Sequence, residues 1–419
     1  MTRESGKKRD LHHKTYFKRY AEPPLCNAND VPEPDMIITI PVYNEKFLLN
    51  TFKSLESCIP SESVILVLVL INASENDSRE VIDTNENTWR SAISFIGYKS
   101  NNLHYRLFKI NNLPSKHAGV GLARKILMDQ AIRIYDFYKK TGPVICLDAD
   151  CTVAPNYLIT LEKKFLRDKW QAGIIKYEHR MKDEEGVDLT HAIVDYEMHL
   201  RYYVLAQMWA GFPYAHQTVG SCMVVKSDLY AKYGGMNKRK AGEDFYFLHK
   251  IIPEVDFKRI NETTVYPSPR ASLRVPFGTG RAVNEWLKNG ASSTYNFNAF
   301  IDLKLSIDYF GQIIDNAYPF DLNRLPASMA RFLSDCHIDE AWKRILISSR
   351  DSGMRRKNFY NWFNAFRLLK YVHFARDNYF PDENVEDETR KLIRQITGKE
   401  KVAGGLQLLV FLRDLEKNI

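Results

Sequence analysis

Short apolar runs alternate with amphipathic segments between Met36 and Asp150. The runs have the length and β-branched content of buried strands: MIITIPV, VILVLVLI, LHYRLFKI and PVICLDA. Between them lie EKFLLNTFKSLESC, SREVIDTNENTWRSAISFI and GVGLARKILMDQAIRIYDFYKK, whose apolar residues recur at helical spacing. Strands that alternate with helices are joined by right-handed crossovers. The pattern therefore predicts an α/β fold with a mainly parallel sheet flanked by helices.

After Asp150 the regular alternation of predicted strands and helices ends. The next predicted elements are a helix over Pro155–Arg167, a strand at QAGIIKYEH, a long helix over Leu189–Trp209, a strand and turn at GSCMVVKSDLY, and a helix starting at GEDFYFLHKI. From Ala282 onward, strand-like runs become scarce and helical spacing dominates. We therefore expect a basic, proline-rich arm over residues 1–34, an α/β domain over residues 35–281, and a helical C-terminal lobe over residues 282–419.

Composition narrows the class of protein. The 419 residues carry a net charge of +8, which suits anionic small ligands, an anionic lipid surface or simply a solvated surface kept soluble by charge. The basic residues are dispersed, so no nucleic-acid partner is expected. The six cysteines are scattered without zinc spacing and are expected to be reduced thiols. The N-terminus lacks the apolar run of a signal peptide, and the run Ser63–Ile71 is about half the length that spans a bilayer. These features predict a cytoplasmic protein.

Two carboxylates follow the predicted strand VICL directly. Asp148 and Asp150 are two residues apart, so in an extended chain they point to the same side. In open parallel sheets ligands bind beyond the carboxyl ends of the strands, and a hard cation such as Mg²⁺ or Mn²⁺ relieves the repulsion between paired carboxylates. The alternative is a capped turn in which Asp150 starts the next helix.

Polar segments also follow the other strands. PVYNE and INAS come after the first two, and either could be simple cap or turn chemistry. After the third strand, the segment PSKHAGVGLARK combines glycines with positive charge at a helix start, which suits a phosphate. Its phosphate-binding candidates are Gly119, Arg124 and Lys125. The chain has neither a P-loop nor a GxGxxG after a strand, which argues against a dinucleotide oxidoreductase.

In order and spacing, IPVYNE, INAS, GVGLARK, LDAD and AGED resemble the motifs of family 2 glycosyltransferases with the GT-A fold, over about Met36–Ile252. The resemblance implies a nucleotide-sugar donor, with UDP favoured, and a Mg²⁺ or Mn²⁺ ion at Asp150 and Asp148. The implied donor-binding residues are Pro41, Tyr43, Asn44, Glu45, Asn72, Ser74, Gly119, Arg124, Lys125 and Asp148. The family more often has Asp-Asp-Gly-Ser where this chain has Ile-Asn-Ala-Ser.

The same resemblance gives roles to the later acids. Asp244 would accept the proton of the acceptor hydroxyl in an inverting, in-line displacement, and Glu243 would assist or contact the acceptor. The alternative is a helix N-terminus in which two acids complement the helix dipole. The acceptor-side candidates are His216, Gly220 and Ser221. Lys238–Lys240 are expected to form either a mobile basic loop over the donor diphosphate or a solvated loop. The resemblance implies that Arg270–Ala282 is a closing loop with an arginine or aromatic side chain on the donor.

We therefore expect a metal-dependent inverting glycosyltransferase of polysaccharide biosynthesis, acting on a hydroxyl of a glycan, lipid-linked or small-molecule acceptor. A Gln-x-x-Arg-Trp pattern is absent from the sequence, so a processive synthase is not expected. Two alternatives remain: a sugar-nucleotide pyrophosphorylase, and a non-catalytic nucleotide-binding protein on the same fold. The segment NFYNWFNAFRLLKYVHFAR favours packed core helices, with a peripheral membrane contact as the sharper hypothesis.

Overall fold

A computed structural model describes residues 12–96, 102–271, 278–398 and 403–417. The chain divides into two compact units. Unit 1 comprises Met1–Asp188 and Thr218–Arg281, and unit 2 comprises Leu189–Gln217 and Ala282–Ile419. The expected loop Arg270–Ala282 lies partly outside the described residues, as does the start of the expected N-terminal arm.

The strands are β1 (Met36–Val42), β2 (Ile65–Ser74), β3 (Leu103–Leu113), β4 (Pro143–Cys146), β5 (Thr152–Val153), β6 (Ala172–Tyr177), β7 (Met223–Lys226), β8 (Lys258–Tyr266), β9 (Ser293–Thr294) and β10 (Glu383–Asn384). The helices are α1 (residues 12–19), α2 (Leu48–Glu56), α3 (Arg79–Ile96), α4 (Val120–Phe137), α5 (Tyr157–Leu161), α6 (Thr190–Trp209), α7 (Ser227–Lys232), α8 (Glu243–Ile251), α9 (Thr279–Asn289), α10 (Phe297–Asn316), α11 (Ala327–Asp335), α12 (Ile338–Ser348), α13 (Ser352–Trp362), α14 (Ala365–Asn378), α15 (Val385–Thr397) and α16 (Gly405–Lys417).

Unit 1 is built on an eight-stranded sheet with the order β3-β2-β1-β4-β7-β6-β8-β5. Strands β3, β2, β1 and β4 are parallel, and β6 and β8 run in the same direction, whereas β7 and β5 are antiparallel to their neighbours. Helices flank this sheet, and the C-terminal region is helical. The predicted fold class, a mainly parallel sheet flanked by helices with a helical C-terminal region, is confirmed.

The central strands of the sheet are buried, and the chain leaves them in two directions. Every residue of β1 is buried, and in β2 only Ser74 is not, as expected for strands covered on both faces. The chain runs outward from β1 to β2 and β3, and α4 then brings it back to β4 on the other side of β1. The strand order thus reverses between β1 and β4, and open α/β sheets usually bind ligands beyond the carboxyl ends of the strands at such a reversal.

Unit 2 contains α6, α9 from Ala282 onward, and helices α10 to α16. Phe310, Phe359 and Phe363 are completely buried and form part of its aromatic core. Much of the aromatic stretch that suggested a membrane contact is therefore packed inside, and the membrane contact stays a prediction. No helix in the described part of the chain is both long enough and apolar enough to cross a bilayer.

A buried ion-pair network attaches the last described helix of unit 2 to α6. Glu197, which is fully buried, accepts hydrogen bonds from Arg201 Nε (2.8 Å) and from Nε and Nη2 of Arg413 (2.7 and 2.9 Å). Arg201 also pairs with Glu416, whose other carboxylate oxygen accepts from Gln217 at 2.9 Å. A buried charge is tolerated only when it is paired in this way.

Candidate functional site

Most candidate residues of unit 1 lie in segments that follow or precede strands at one end of the sheet, where the parallel strands have their carboxyl ends. Parallel strands β1, β2, β4, β6 and β8 terminate at this end, and the antiparallel β7 begins there. The topology therefore brings together the segments after β1 and β4 and the segment before β7, which are far apart in sequence. The N-terminus of α4 also packs against the N-terminus of α8.

Arg124, in the first turns of α4, is the centre of the cluster. Its side chain is buried, and its Nη2 donates to Asp148 Oδ1 at 2.8 Å. Its Nη1 donates to the carbonyl oxygen of Gly220, and its Nε lies 3.4 Å from Glu243 Oε1. Burial lowers the pKa of Arg124, but the charges of Asp148 and Glu243 outweigh it, so the net shift is upward. Arg124 is therefore a fixed cation that holds three elements together.

Glu243 and Asp244 begin α8, where the helix dipole favours acids. Glu243 is buried, and burial raises its pKa to about 7 because the attraction of Arg124 only partly offsets the loss of hydration. Burial also raises the pKa of Asp244, whose Oδ1 accepts the backbone N–H of Phe245 at 2.7 Å. The site thus contains two adjacent carboxyl groups whose pKa values are raised by burial.

Glycines allow the backbones around these acids to approach closely. A Cβ atom at Gly121 would lie 2.1 Å from the carbonyl oxygen of Arg239, and one at Gly119 would lie 2.9 Å from Lys240 Cα. A Cβ atom at Gly220 would lie 2.8 Å from Arg124 Nη1 and 3.0 Å from Asp244 Oδ2. The glycines of GVGLARK therefore let the loop before α8 pack against the start of α4, and the phosphate contact predicted for Gly119 stays a prediction.

Glu45 binds Arg270, which the sequence marked only as the first residue of an expected loop. It is buried, and its Oε2 and Oε1 accept from Arg270 Nη2 (2.5 Å) and Nη1 (3.3 Å), while Oε1 also accepts from Phe47 N–H at 2.8 Å. Burial lowers the pKa of Arg270, whereas Glu45 and, more weakly, Asp150 raise it above the usual value. Arg270 follows β8, a strand that was not predicted, so only the arginine content of the stretch Arg270–Ala282 could have indicated it.

Side chains around the first two strands form a connected group. Tyr43 donates from its hydroxyl to Asp77 Oδ1 at 2.9 Å, and Asp77 Oδ2 accepts the backbone N–H of Ser74 at 2.6 Å. Tyr43 and Ser74, two predicted donor-binding residues, are thus joined through Asp77. Pro41 lies within β1 and is buried beside Leu70.

Asn44 and Asn72 take part in a second chain of hydrogen bonds. The Asn44 backbone N–H donates to Asn85 Oδ1 at 3.0 Å, and Asn85 Nδ2 donates to the Asn72 carbonyl at 2.9 Å. Asn72 Nδ2 in turn donates to the carbonyl of Val42 at 2.8 Å, and Asn72 is buried. This amide therefore joins the ends of β1 and β2. Asn44 adopts a positive φ of 48°, a conformation that asparagine tolerates better than most residues.

Three further predicted residues are Lys125, His216 and Ser221. Lys125 directs its ammonium group to Tyr16 and Asp129, at 2.8 and 3.0 Å, in a separate buried cluster. His216 belongs to unit 2. Ser221 is buried, with its hydroxyl 3.6 Å from the Cys222 sulfur.

Asp148 and Asp150 are the residues that could hold a divalent cation. Asp148 keeps about a third of its side chain exposed (36%), although one oxygen binds Arg124. Asp150 is partly exposed, and its backbone carbonyl accepts from Arg180 Nη2 at 3.2 Å. Within the described ranges no three His, Cys, Asp or Glu side chains form a ready-made metal site. Two carboxylates fit an Mg²⁺-type ion whose other ligands are water and a bound diphosphate.

Comparisons with known proteins give only distant likenesses. No protein-family model matches the chain, and no curated protein matches its sequence. The solved structures with some similarity include S. aureus TarS 1-349 in complex with UDP-GlcNAc, at 14% identity over 78% of this chain and 92% of that chain, with a TM-score of 0.40. They also include GalNAc-T7 with UDP, GalNAc and Mn²⁺, at 14% identity over 83% of this chain and 58% of that chain, with a TM-score of 0.37.

Proposed function

We propose that the protein is a glycosyltransferase that moves a sugar from a nucleoside diphosphate donor, with UDP favoured, to an acceptor hydroxyl. The observation that carries the proposal is the cluster of Asp148, Glu243 and Asp244 around Arg124, at the point where the strand order of the sheet reverses. Crevices at such reversals are the usual nucleotide-binding places of open α/β sheets. The ordered motifs that resemble those of family 2 glycosyltransferases support this assignment.

In this proposal the acids of α8 handle the proton. Asp244 accepts the proton of the attacking hydroxyl while the bond from the anomeric carbon to the donor diphosphate breaks, so the sugar inverts. A base works best when its pKa is near the operating pH, and burial shifts Asp244 in that direction. Glu243 is buried and faces Arg124, which suits a contact that orients Asp244 and the acceptor.

Arg124 has a positioning role in the proposal. Its two terminal nitrogens and Nε already face Asp148, Gly220 and Glu243, so it holds the acids in place and does not reach a phosphate directly. Arg270, next to Glu45 and near Asp150, is the better phosphate contact because 22% of its side chain is exposed.

Asp150, with Asp148, would hold Mg²⁺ or Mn²⁺ together with the donor diphosphate. Such an ion supplies charge stabilisation to the departing diphosphate. The partly exposed side chains of both residues are compatible with this role.

The test is calorimetric titration of UDP and GDP, with and without Mn²⁺, into the wild type and Asp150→Asn. We expect UDP binding that requires Mn²⁺ and is lost in Asp150→Asn. Asp256→Asn is the matched control, because Asp256 is 80% exposed and pairs with Lys258 in a different part of unit 1. Binding that is independent of Mn²⁺, or absent for both nucleotides, would contradict the metal and donor assignments.

Turnover is tested next, by measuring UDP release from a panel of UDP-sugars. Asp244→Asn should abolish release while UDP binding persists. If the wild type binds UDP but releases none from any UDP-sugar, a non-catalytic nucleotide-binding protein is favoured. Nucleotide release that depends on pyrophosphate would favour a pyrophosphorylase.

A further inference from the structure

The N-terminal segment, residues 12–22, is bound to α4 through one buried carboxylate. Asp129 is fully buried and accepts hydrogen bonds from Tyr16 Oη (2.5 Å), Tyr230 Oη (2.7 Å), Lys125 Nζ (3.0 Å) and the backbone N–H of Glu22 (2.8 Å). A carboxylate with this many donors fixes its partners strongly. The segment is thus attached near the site, on the helix that also carries Arg124.

The same segment contacts the loop that leads to the acid pair. This loop, Gly235–Gly242, begins where a Cβ atom at Gly235 would lie 2.2 Å from Tyr16 Oη, so Tyr16 packs directly on its first residue. Three residues later, Lys238 Nζ forms an ion pair with Glu22 Oε1. Lys250 Nζ, from α8, also donates to the Gly235 carbonyl at 2.7 Å.

The far side of the loop rests on the start of α4. The Arg239 carbonyl and Lys240 Cα are the atoms that a Cβ at Gly121 or Gly119 would meet. Asn237 Nδ2 also donates to the Glu243 carbonyl at 2.9 Å, which joins the loop to the first turn of α8. The loop is therefore held between the N-terminal segment and α4, immediately before Glu243.

We propose that the N-terminal segment is a positioning element: through Tyr16 and Glu22 it presses the loop Gly235–Gly242 onto α4 and so fixes Glu243 and Asp244 relative to Arg124. The catalytic meaning of the acid pair rests on the proposed function, whereas the mechanical coupling does not. Tyr16 and Glu22 act on the acids through the loop. Small displacements of catalytic groups lower rates strongly, so this coupling should control kcat.

The first experiment measures amide hydrogen exchange over residues 236–247 in the wild type, Glu22→Lys, and the charge swap Glu22→Lys with Lys238→Glu. Glu22→Lys leaves the backbone hydrogen bond to Asp129 in place, removes the ion pair and sets a second cation beside Lys238. We expect exchange in this region to rise about twofold to fivefold in the single variant and to recover in the swap. Tyr16→Phe, which keeps the ring on Gly235 but loses the hydroxyl, should raise exchange by roughly tenfold.

The matched control is Glu33→Lys, which breaks the exposed pair between Glu33 and Lys140 (2.6 Å), beyond the C-terminal end of α4. Exchange over residues 236–247 should not change in this variant. Unchanged exchange in both Glu22→Lys and Tyr16→Phe, or an equal rise in Glu33→Lys, would overturn the positioning role.

Kinetics then separates this inference from the proposed function. In Glu22→Lys we expect UDP affinity to stay the same and kcat to fall, whereas both should stay the same in Glu33→Lys. If the wild type releases no UDP from any donor while the exchange pattern still appears, the proposed function fails and the mechanical coupling stands. A kcat in Glu22→Lys equal to that of the wild type, despite faster exchange over residues 236–247, would contradict the control of kcat by this coupling.

Discussion

Arg124 Nη2 lies 2.8 Å from Asp148 Oδ1, so a side chain from the start of α4 binds the carboxylate that follows β4. The same guanidinium group faces Glu243 on α8, which is buried with it. One buried cation therefore connects three segments that lie far apart in sequence. The stability of unit 1 and the geometry of the candidate site depend on the same residue.

Replacing Arg124 should be costly. Arg124→Met leaves Glu243 buried without its cation, and breaking a buried pair from one side typically costs about 3–5 kcal/mol. We expect a loss of this size in the free energy of unfolding, measured by urea denaturation at pH 8. Arg90→Met, which breaks a pair whose arginine is 74% exposed, should change stability by less than about 1 kcal/mol. Equal denaturation midpoints for the two variants would contradict the central role of Arg124.

Gly121→Ala should displace the loop before α8. Alanine favours a helix, but the added Cβ would lie 2.1 Å from the Arg239 carbonyl, a backbone atom that must move. We expect a loss of stability of about 1–3 kcal/mol, seen as a lower thermal midpoint of unfolding. Gly311→Ala in α10 is the control, because a Cβ atom added there would meet nothing within 4 Å, and it should gain about 0.5–1 kcal/mol. A neutral Gly121→Ala would show that the contact is not close in solution.

Glu243 should make stability depend on pH. Its pKa is raised from 4.5 to about 7 in the folded protein, so the folded state binds more protons than the unfolded state between these values. Its contribution is therefore largest at low pH and is lost as the pH rises through about 7. Relative to the wild type, Glu243→Gln should gain about 1–3 kcal/mol between pH 5 and pH 8. The free energy of unfolding of both proteins, measured in EDTA across this range, tests the sign; a constant difference contradicts it.

Arg413 should anchor the C-terminal helix of unit 2. Arg413→Met removes one of the two cations that bind the buried Glu197, which predicts a loss of about 1–3 kcal/mol. Lys417→Met on the same helix breaks only the exposed pair with Asp414 and should have little effect. Limited proteolysis within residues 405–417 reports the difference. Equal cleavage rates would mean that the buried pair does not hold α16.

The sequence predicted the parts of the fold that have long, uniform patterns. Strands β1 to β4 and helices α2 to α4 were predicted because each is either a continuous apolar run or has clear helical spacing. Strand β8 was missed, since KRINETTVY begins with polar residues, and β5 has only two residues. The antiparallel direction of β7 could not be predicted, because it depends on pairing with β4 and β6.

The residue types of the site could be predicted from the sequence, but the side chains that they contact could not. Asp148 was identified from its position after a strand and Glu243 from the resemblance of AGED to a family motif, but their shared partner, Arg124, lies far from Glu243 in sequence. Arg124 and Lys125 were equivalent candidates in the sequence. Consecutive helix positions point roughly 100° apart, so the fold sends one toward Asp148 and the other toward Asp129. The packing of α4 in the folded protein decides which of the two residues contacts which aspartate.

The attachment of Tyr16 also sets an order for folding. Its hydroxyl contacts Asp129, 113 positions later, and Tyr230, 214 positions later. The first part of unit 1 to leave the ribosome must therefore wait until α4 and then α7 have been synthesised before its contacts can form. Long-range contacts of this kind slow folding and leave early segments exposed. We expect the closure of residues 12–22 to be among the last steps in the maturation of unit 1.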